Sequence, residues 1–400
     1  MKPKTSIRWA ALGVSMLALC ACEMFEPAPP SPRQIVADAG DVVDDREIVV
    51  LARTSAAALS LTQKSAQRGY SVEYREDLTG LDLILLVLII PTNMRGDAAI
   101  RELESLEPGV SAGVNHAYRV RASAGASGSR REYADQLLGW PAEGCRTDTV
   151  IGMIDAAVDS RDPGLAGVPI VARDFTRLGI PSANPEPART DHGTVTAEIL
   201  AGSARLSGVR LQAASVIADH RMADEAAGAD SIVRAINWMQ VSGVRLVNVS
   251  LAGPYNKILD RSLHSATDKG MIIVAAAGNT GPDSPARYPA AFDDVIAVTA
   301  IDVESKVYDN AVQGEQIDFA APGVDVFVPV GSDGRYVTGT SVAAPFVTAR
   351  IAADPLALSA KTADAAMKSL AASSADLGAP GRDAVYGYGL PKLNDGCRNR

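Results

Sequence analysis

Positive charge is the first thing this chain is short of. Its 400 residues carry 38 Lys and Arg against 47 Asp and Glu, a formal net charge of -9, and loss of a leader holding Lys2, Lys4 and Arg8 takes -9 to -12. A surface of that sign is repelled by phosphate backbones and anionic headgroups, which excludes nucleic acid as a partner. Long apolar runs are lacking as well. Residues 9–19 and 83–90 are each too short for a helix that spans a bilayer, so the first reads as the core of an export signal and the second as a buried strand. There are only four Cys and four His, and no metal-ligand cluster can be assigned, so neither metal nor cofactor is expected. No internal repeat is found. At this length two folded units are expected, with ample chain to bury a core.

What is present begins with a targeting segment, residues 1–21, that has a basic start and the short apolar run. Leu19-Cys20-Ala21-Cys22 resembles a bacterial lipobox. Cys22, behind the small Ala21, fits better than Cys20 behind Leu19. The resemblance implies that Cys22 is lipidated and becomes a membrane anchor. Glu23, where an Asp would favour inner-membrane retention, leans toward the periplasmic face of the outer membrane. A plain secretory signal is the alternative. Residues 22–45, with Pro27, Pro29, Pro30 and Pro32, read as an extended spacer. Of the remaining thiols, Cys145 and Cys397 would suit a disulfide in an exported chain, or stay free. A bond between them would close a very long loop, on the order of 4–5 kcal/mol by chain entropy.

Residues 46–121 predict a small α+β unit: strand 46–51, helix 55–68, alternation at Tyr70, Val72 and Tyr74, strand 83–90, a helical stripe at Ile100, Leu103 and Leu106, and a last strand 114–120. The order β-α-β-β-α-β is that of a ferredoxin-like fold. Residues 122–132, rich in Gly, Ala and Ser, read as a flexible linker. From residue 133 to 400, apolar strands (150–154, 246–249, 271–274, 295–298) alternate with amphipathic helices (194–201, 231–240, 258–268). That pattern predicts an α/β domain with a doubly wound, mostly parallel sheet.

In such sheets the reactive groups lie beyond the carboxyl ends of strands. Asp155 follows one directly. His192 is the one histidine in a tight small-residue context, Thr190-Asp191-His192-Gly193-Thr194, whereas His116, His220 and His264 sit in unremarkable surroundings. Asn279 ends the run 273–279. Ser341 lies in Gly339-Thr340-Ser341-Val342-Ala343-Ala344-Pro345, where a helix start would aim N–H groups at developing negative charge. Pro345 suits an opening helical turn. Each residue alone is as well read as a turn or cap residue. The order Asp, His, Ser with an Asn between the last two is that of a nucleophilic hydrolase.

At this point the chain resembles the subtilisin-like serine proteases, through segments 151–155, 191–194, 247–251, 275–279, 319–323 and 339–345. The resemblance implies that Ser341 is the nucleophile, His192 the base, Asp155 its orienting acid, and Asn279 an oxyanion donor. It also implies that Ser250, Leu251, Ala252 and Gly253 pair with a peptide substrate. The 46–121 unit would be an inhibitory propeptide, removed by self-cleavage between residues 118 and 131. Departures stand out. Ala156-Ala157 replaces a hydroxyl residue and a Gly after the Asp, Val195 and Glu198 replace a His and a Gly, and Arg287 aligns near the base of the specificity pocket. There it would favour an acidic substrate side chain, or else pair at the surface with Asp283 or Asp293. The altered surroundings of the triad support one rival: a weak or inactive subtilisin-like lipoprotein that binds peptides or acts as a scaffold. An α/β-hydrolase lipase is excluded, since no Gly-x-Ser-x-Gly surrounds Ser341.

Overall fold

The computed structural model describes residues 41–120, the backbone of 123–124, and residues 133–176, 191–202, 205–217, 226–330, 334–393 and 397. The leader, Cys22, His220 and most of the spacer and linker lie outside the described residues. Among the described residues no helix is long and apolar enough to cross a membrane.

Strands β1 (Glu47–Ala52), β2 (Ser71–Leu78), β3 (Leu83–Ile89) and β4 (Ser111–Val114) form one antiparallel sheet in the order β2-β3-β1-β4, with helices α1 (Ser55–Ala66) and α2 (Gly96–Leu106) between them. This is the ferredoxin-like order that the sequence predicts. Alternation in β1 sorts its residues: Ile48 and Val50 pack on Leu61 and Leu103 of the helices, while Val49 and Leu51 face the other way. That second face shares a core with helices α4 (Ala229–Val241) and α5 (Lys257–Asp268) of the larger unit.

The expected last strand over 114–120 is corrected. The sheet strand ends at Val114. After Asn115 and His116 the chain turns out of the sheet, and Ala117–Arg119 (β5) takes its backbone partners from the larger unit instead. The turn is pinned by buried polar contacts, because Asn115 Nδ2 donates to Glu47 at 3.0 Å and to Asp230 at 2.9 Å. His116 is not in unremarkable surroundings. It is buried, accepts a hydrogen bond at Nδ1 from Asn256 Nδ2 at 2.9 Å, and burial pushes its pKa down to about 4. The linker is also not wholly without structure, since Ser123–Ala124 pairs antiparallel with Val337–Thr338.

The larger unit is a seven-stranded, all-parallel sheet. Strands β6 (Val150–Asp155), β7 (Ile170–Asp174), β8 (Arg210–Ser215), β10 (Leu246–Val249), β11 (Ile272–Ala276), β12 (Val295–Ile301) and β13 (Phe319–Pro322) stand in the order β13-β12-β11-β10-β6-β8-β7. Helices α3 (Asp191–Ala201) and α6 (Thr340–Ala352) cover one face, and α4 and α5 the other. The short β9 (Ala226–Gly228) precedes α4. Strands β7, β8 and β13 carry too few apolar residues, or too many small ones, to stand out as strands in the sequence. Cys145 and Cys397 are bonded and tie the two ends of this unit together.

Candidate active site

Asp155 is the last residue of β6 and fully buried. Helix α3 opens at Asp191, so His192 sits in its first turn over the end of that strand. Gly193 makes the approach possible: a Cβ there would lie 2.3 Å from the carbonyl oxygens of both Ala156 and Ala157. His192 Nδ1 is 2.7 Å from Asp155 Oδ1, and its Nε2 is 3.1 Å from Ser341 Oγ. Asp155 Oδ1 also accepts the Ala156 N–H at 2.6 Å, and Oδ2 accepts the Thr196 hydroxyl at 2.8 Å.

Ser341 lies in the first turn of α6, where the helix leaves its amides without intrahelical acceptors. Pro345 is not in that turn but one turn deeper. Lacking an N–H, it leaves the Ser341 carbonyl without its helical donor, and the Ser250 hydroxyl donates there at 3.1 Å. Ser250 is itself held by Asn248 Nδ2 at 2.9 Å, and Asn248 Oδ1 accepts from Thr348 at 3.0 Å. This buried chain runs from β10 to α6 and fixes the helix start. The sequence motif 247–251 marks the place, but the pairing across a hundred residues is visible only in three dimensions.

Asn279 is oriented by Thr340. The Thr340 backbone N–H donates to Asn279 Oδ1 at 3.0 Å, and its hydroxyl does so at 2.9 Å while accepting the Gly278 N–H. With its carbonyl end committed, the amide acts as a donor from its other end. Asn279, Ser341, Ser250, Leu251, Ala252 and Arg287 line one pocket.

Strand β5 lies in the cleft. It pairs with β9 on one side, and Arg119 exchanges both backbone hydrogen bonds with Ala252, at 3.0 and 3.1 Å, on the other. The buried Tyr118 donates to the Pro254 carbonyl at 3.0 Å. A Cβ on Gly253 would fall 2.4 Å from the Tyr118 ring. Of the four expected pairing residues, Ala252 bonds to the chain in the cleft, whereas Gly253 bonds to Tyr288. Arg287 does not pair with Asp283 or Asp293. Its guanidinium lies 3.6 Å from Asp41, whose carboxylate also binds Arg119.

Glu198, two turns after His192, stands where the resemblance expects Gly. Its carboxyl is buried against Asp162, and burial followed by that partner raises its pKa to about 8. Gly164 makes room for it, since a Cβ there would fall 2.2 Å from Glu198 Oε1. The sign follows from linkage. The folded state holds a proton that the unfolded state releases near pH 4.5, so this group's contribution to stability falls as pH rises from about 4.5 to 8. Glu198→Gln is therefore expected to gain melting temperature relative to the parent as pH rises from 5 to 8. Parallel thermal melts at the two pH values check this, and a constant offset would contradict it.

A hydroxyl, an imidazole and a carboxylate in hydrogen-bond sequence at the carboxyl edge of a parallel sheet are the arrangement found in serine hydrolases of the Asp-His-Ser kind. Residues 146–389 match the Subtilase family of peptidases, and the chain belongs to that family. It is 29% identical over 227 residues to thermitase of Thermoactinomyces vulgaris, covering 55% of this chain and 80% of that one. It is 32% identical over 167 residues to the minor extracellular protease Epr of Bacillus subtilis, covering 40% of this chain and 25% of that one. A third relative is the thermophilic serine proteinase of a Bacillus species, 30% identical with 55% of each chain covered. The match thus spans a quarter to about half of two of these relatives. In fold the chain is similar to fervidolysin of Fervidobacterium pennivorans, with a TM-score of 0.71 at 21% identity, covering 89% of this chain and 61% of that one.

Proposed function

We propose that the protein is a serine endopeptidase. The observation that carries this is the unbroken contact from Asp155 through His192 to Ser341 at a helix start. In the proposed mechanism His192 takes the Ser341 proton as Oγ attacks the peptide carbonyl, then passes it to the leaving amine. Asp155 holds the ring and stabilises the imidazolium. Asn279 and the Ser341 N–H donate to the tetrahedral oxyanion, where losing one donor costs about 3–4 kcal/mol in the barrier.

Substrate would add as a strand between β9 and Ala252, the place β5 holds. The N-terminal unit would then act as an inhibitor in cis and yield to self-cleavage. Two ladders, Arg119 with Ala252 and Ser123 with Thr338, leave residues 120–122 between them, which supports a cut between Arg119 and Ser123. Intact mass and N-terminal sequencing of the fragments should give a new terminus in residues 120–123. A terminus after Arg131, or an uncut chain with normal activity, would remove this part of the reading.

Arg287 supports a preference for an acidic substrate side chain, and its 3.6 Å approach to the Asp41 carboxylate favours the same reading. Export with a lipid anchor at Cys22 rests on the leader sequence. Labelling with a fluorophosphonate, lost on Ser341→Ala, tests the central claim, and a folded parent chain that neither labels nor hydrolyses peptides would refute it.

A further inference from the structure

A catalytic carboxylate needs both of its oxygens held if one is to meet the imidazole squarely. Asp155 Oδ1 is taken by His192 and by the Ala156 N–H, but the residue after the Asp is Ala156, which offers only a methyl group. Oδ2 would then be an anionic oxygen in a dry interior, since Asp155 is fully buried, and such an oxygen left without a donor is costly. The donor comes from another element. Thr196 stands four residues after His192 on α3, so the two side chains lie on one face of that helix. The residue is 1% exposed, and its hydroxyl donates to Asp155 Oδ2 at 2.8 Å. Threonine inside a helix commonly turns its hydroxyl back to the carbonyl four residues earlier. Thr62 does so here, onto Ala58, whereas Thr196 turns away from its own helix to the carboxylate.

We infer that Thr196 is a positioning residue for the triad. The hydroxyl lost beside the Asp is supplied from the helix that carries the His, so one rigid element sets both the imidazole and the plane of the carboxylate it meets. This rests on the endopeptidase reading above. The threonine donates its single proton to Oδ2 and does not exchange it during turnover. Its removal leaves more negative charge on Asp155 for the imidazolium and allows the carboxylate to rotate.

The test uses the whole chain as purified. Thr196→Val, which keeps the shape and deletes the donor, is expected to lower kcat about tenfold to a hundredfold with KM within about twofold. It should also move the acid limb of the kcat/KM profile to higher pH. Thr196→Ser should stay near the parent, and Ala156→Ser on the Thr196→Val background should recover most of the lost kcat. A lowered melting temperature with kcat and the acid limb unchanged would assign Thr196 to packing alone and overturn the inference. If Thr196→Val fails to fold, Ala156→Ser on that background decides. Recovery of fold and kcat together supports positioning, while recovery of fold without kcat overturns it. Failure of the underlying reading is distinct, because then Ser341→Ala would leave hydrolysis intact.

Discussion

Ser341→Ala is expected to lower peptide hydrolysis on the order of 10⁶-fold in kcat, the scale of that deletion in a studied relative within this family. The substitution removes a single oxygen from a residue 3% exposed in a helix that is otherwise all protein-packed, so the melting temperature should move little. The loss is chemical. Without Oγ there is no acyl intermediate, and His192 Nε2 has no proton to take from the position 3.1 Å away. His192→Ala should cost nearly as much, and the double variant little more than either, because the groups act as one unit. Steady-state hydrolysis of a peptide and fluorophosphonate labelling measure both. A Ser341→Ala chain that keeps a hundredth of parental kcat would place the nucleophile elsewhere.

Arg287 carries the second large effect. It is mostly buried in the wall that also holds Ser341 and Asn279, and its guanidinium is 3.6 Å from the Asp41 carboxylate. Two opposite charges at about 4 Å attract by roughly 4 kcal/mol at an effective dielectric near 20, of which desolvation takes a share. A net of about 1.5–3 kcal/mol amounts to roughly tenfold to a hundredfold in kcat/KM for a Glu over a Gln side chain. Arg287→Glu should invert that preference toward Lys and Arg. Residues 119–123 read Arg-Val-Arg-Ala-Ser, with no acid among them, so self-cleavage should be slow in the parent and faster in Arg287→Glu. Asp41→Asn, which removes the resident carboxylate, should raise the rate on acidic peptides. Equal rates on Glu and Gln peptides in the parent would dismiss the role of Arg287.

Motif order already pointed to Asp155, His192, Asn279 and Ser341, because residues set at strand ends and helix starts leave local signatures of small residues beside one reactive group. The central strands were legible for a related reason: a strand covered on both faces must be largely apolar, as residues 271–274 are throughout and 246–249 are but for Asn248. Strands β7, β8 and β13 were not, and neither was the end of the N-terminal sheet. Residues 114–120 have one strand-like pattern, but two sets of partners divide them at Asn115.

Local spacing therefore determined the type of sheet, the family and the residues proposed to react. Only the tertiary structure decided where β5 goes, what Arg287 faces, why Glu198 keeps a proton and which hydroxyl serves Asp155. Each of these depends on partners 36 to 246 positions apart meeting in a space largely closed to water. The energies that select them come from desolvation, which no property of either residue's own neighbourhood in the chain can set.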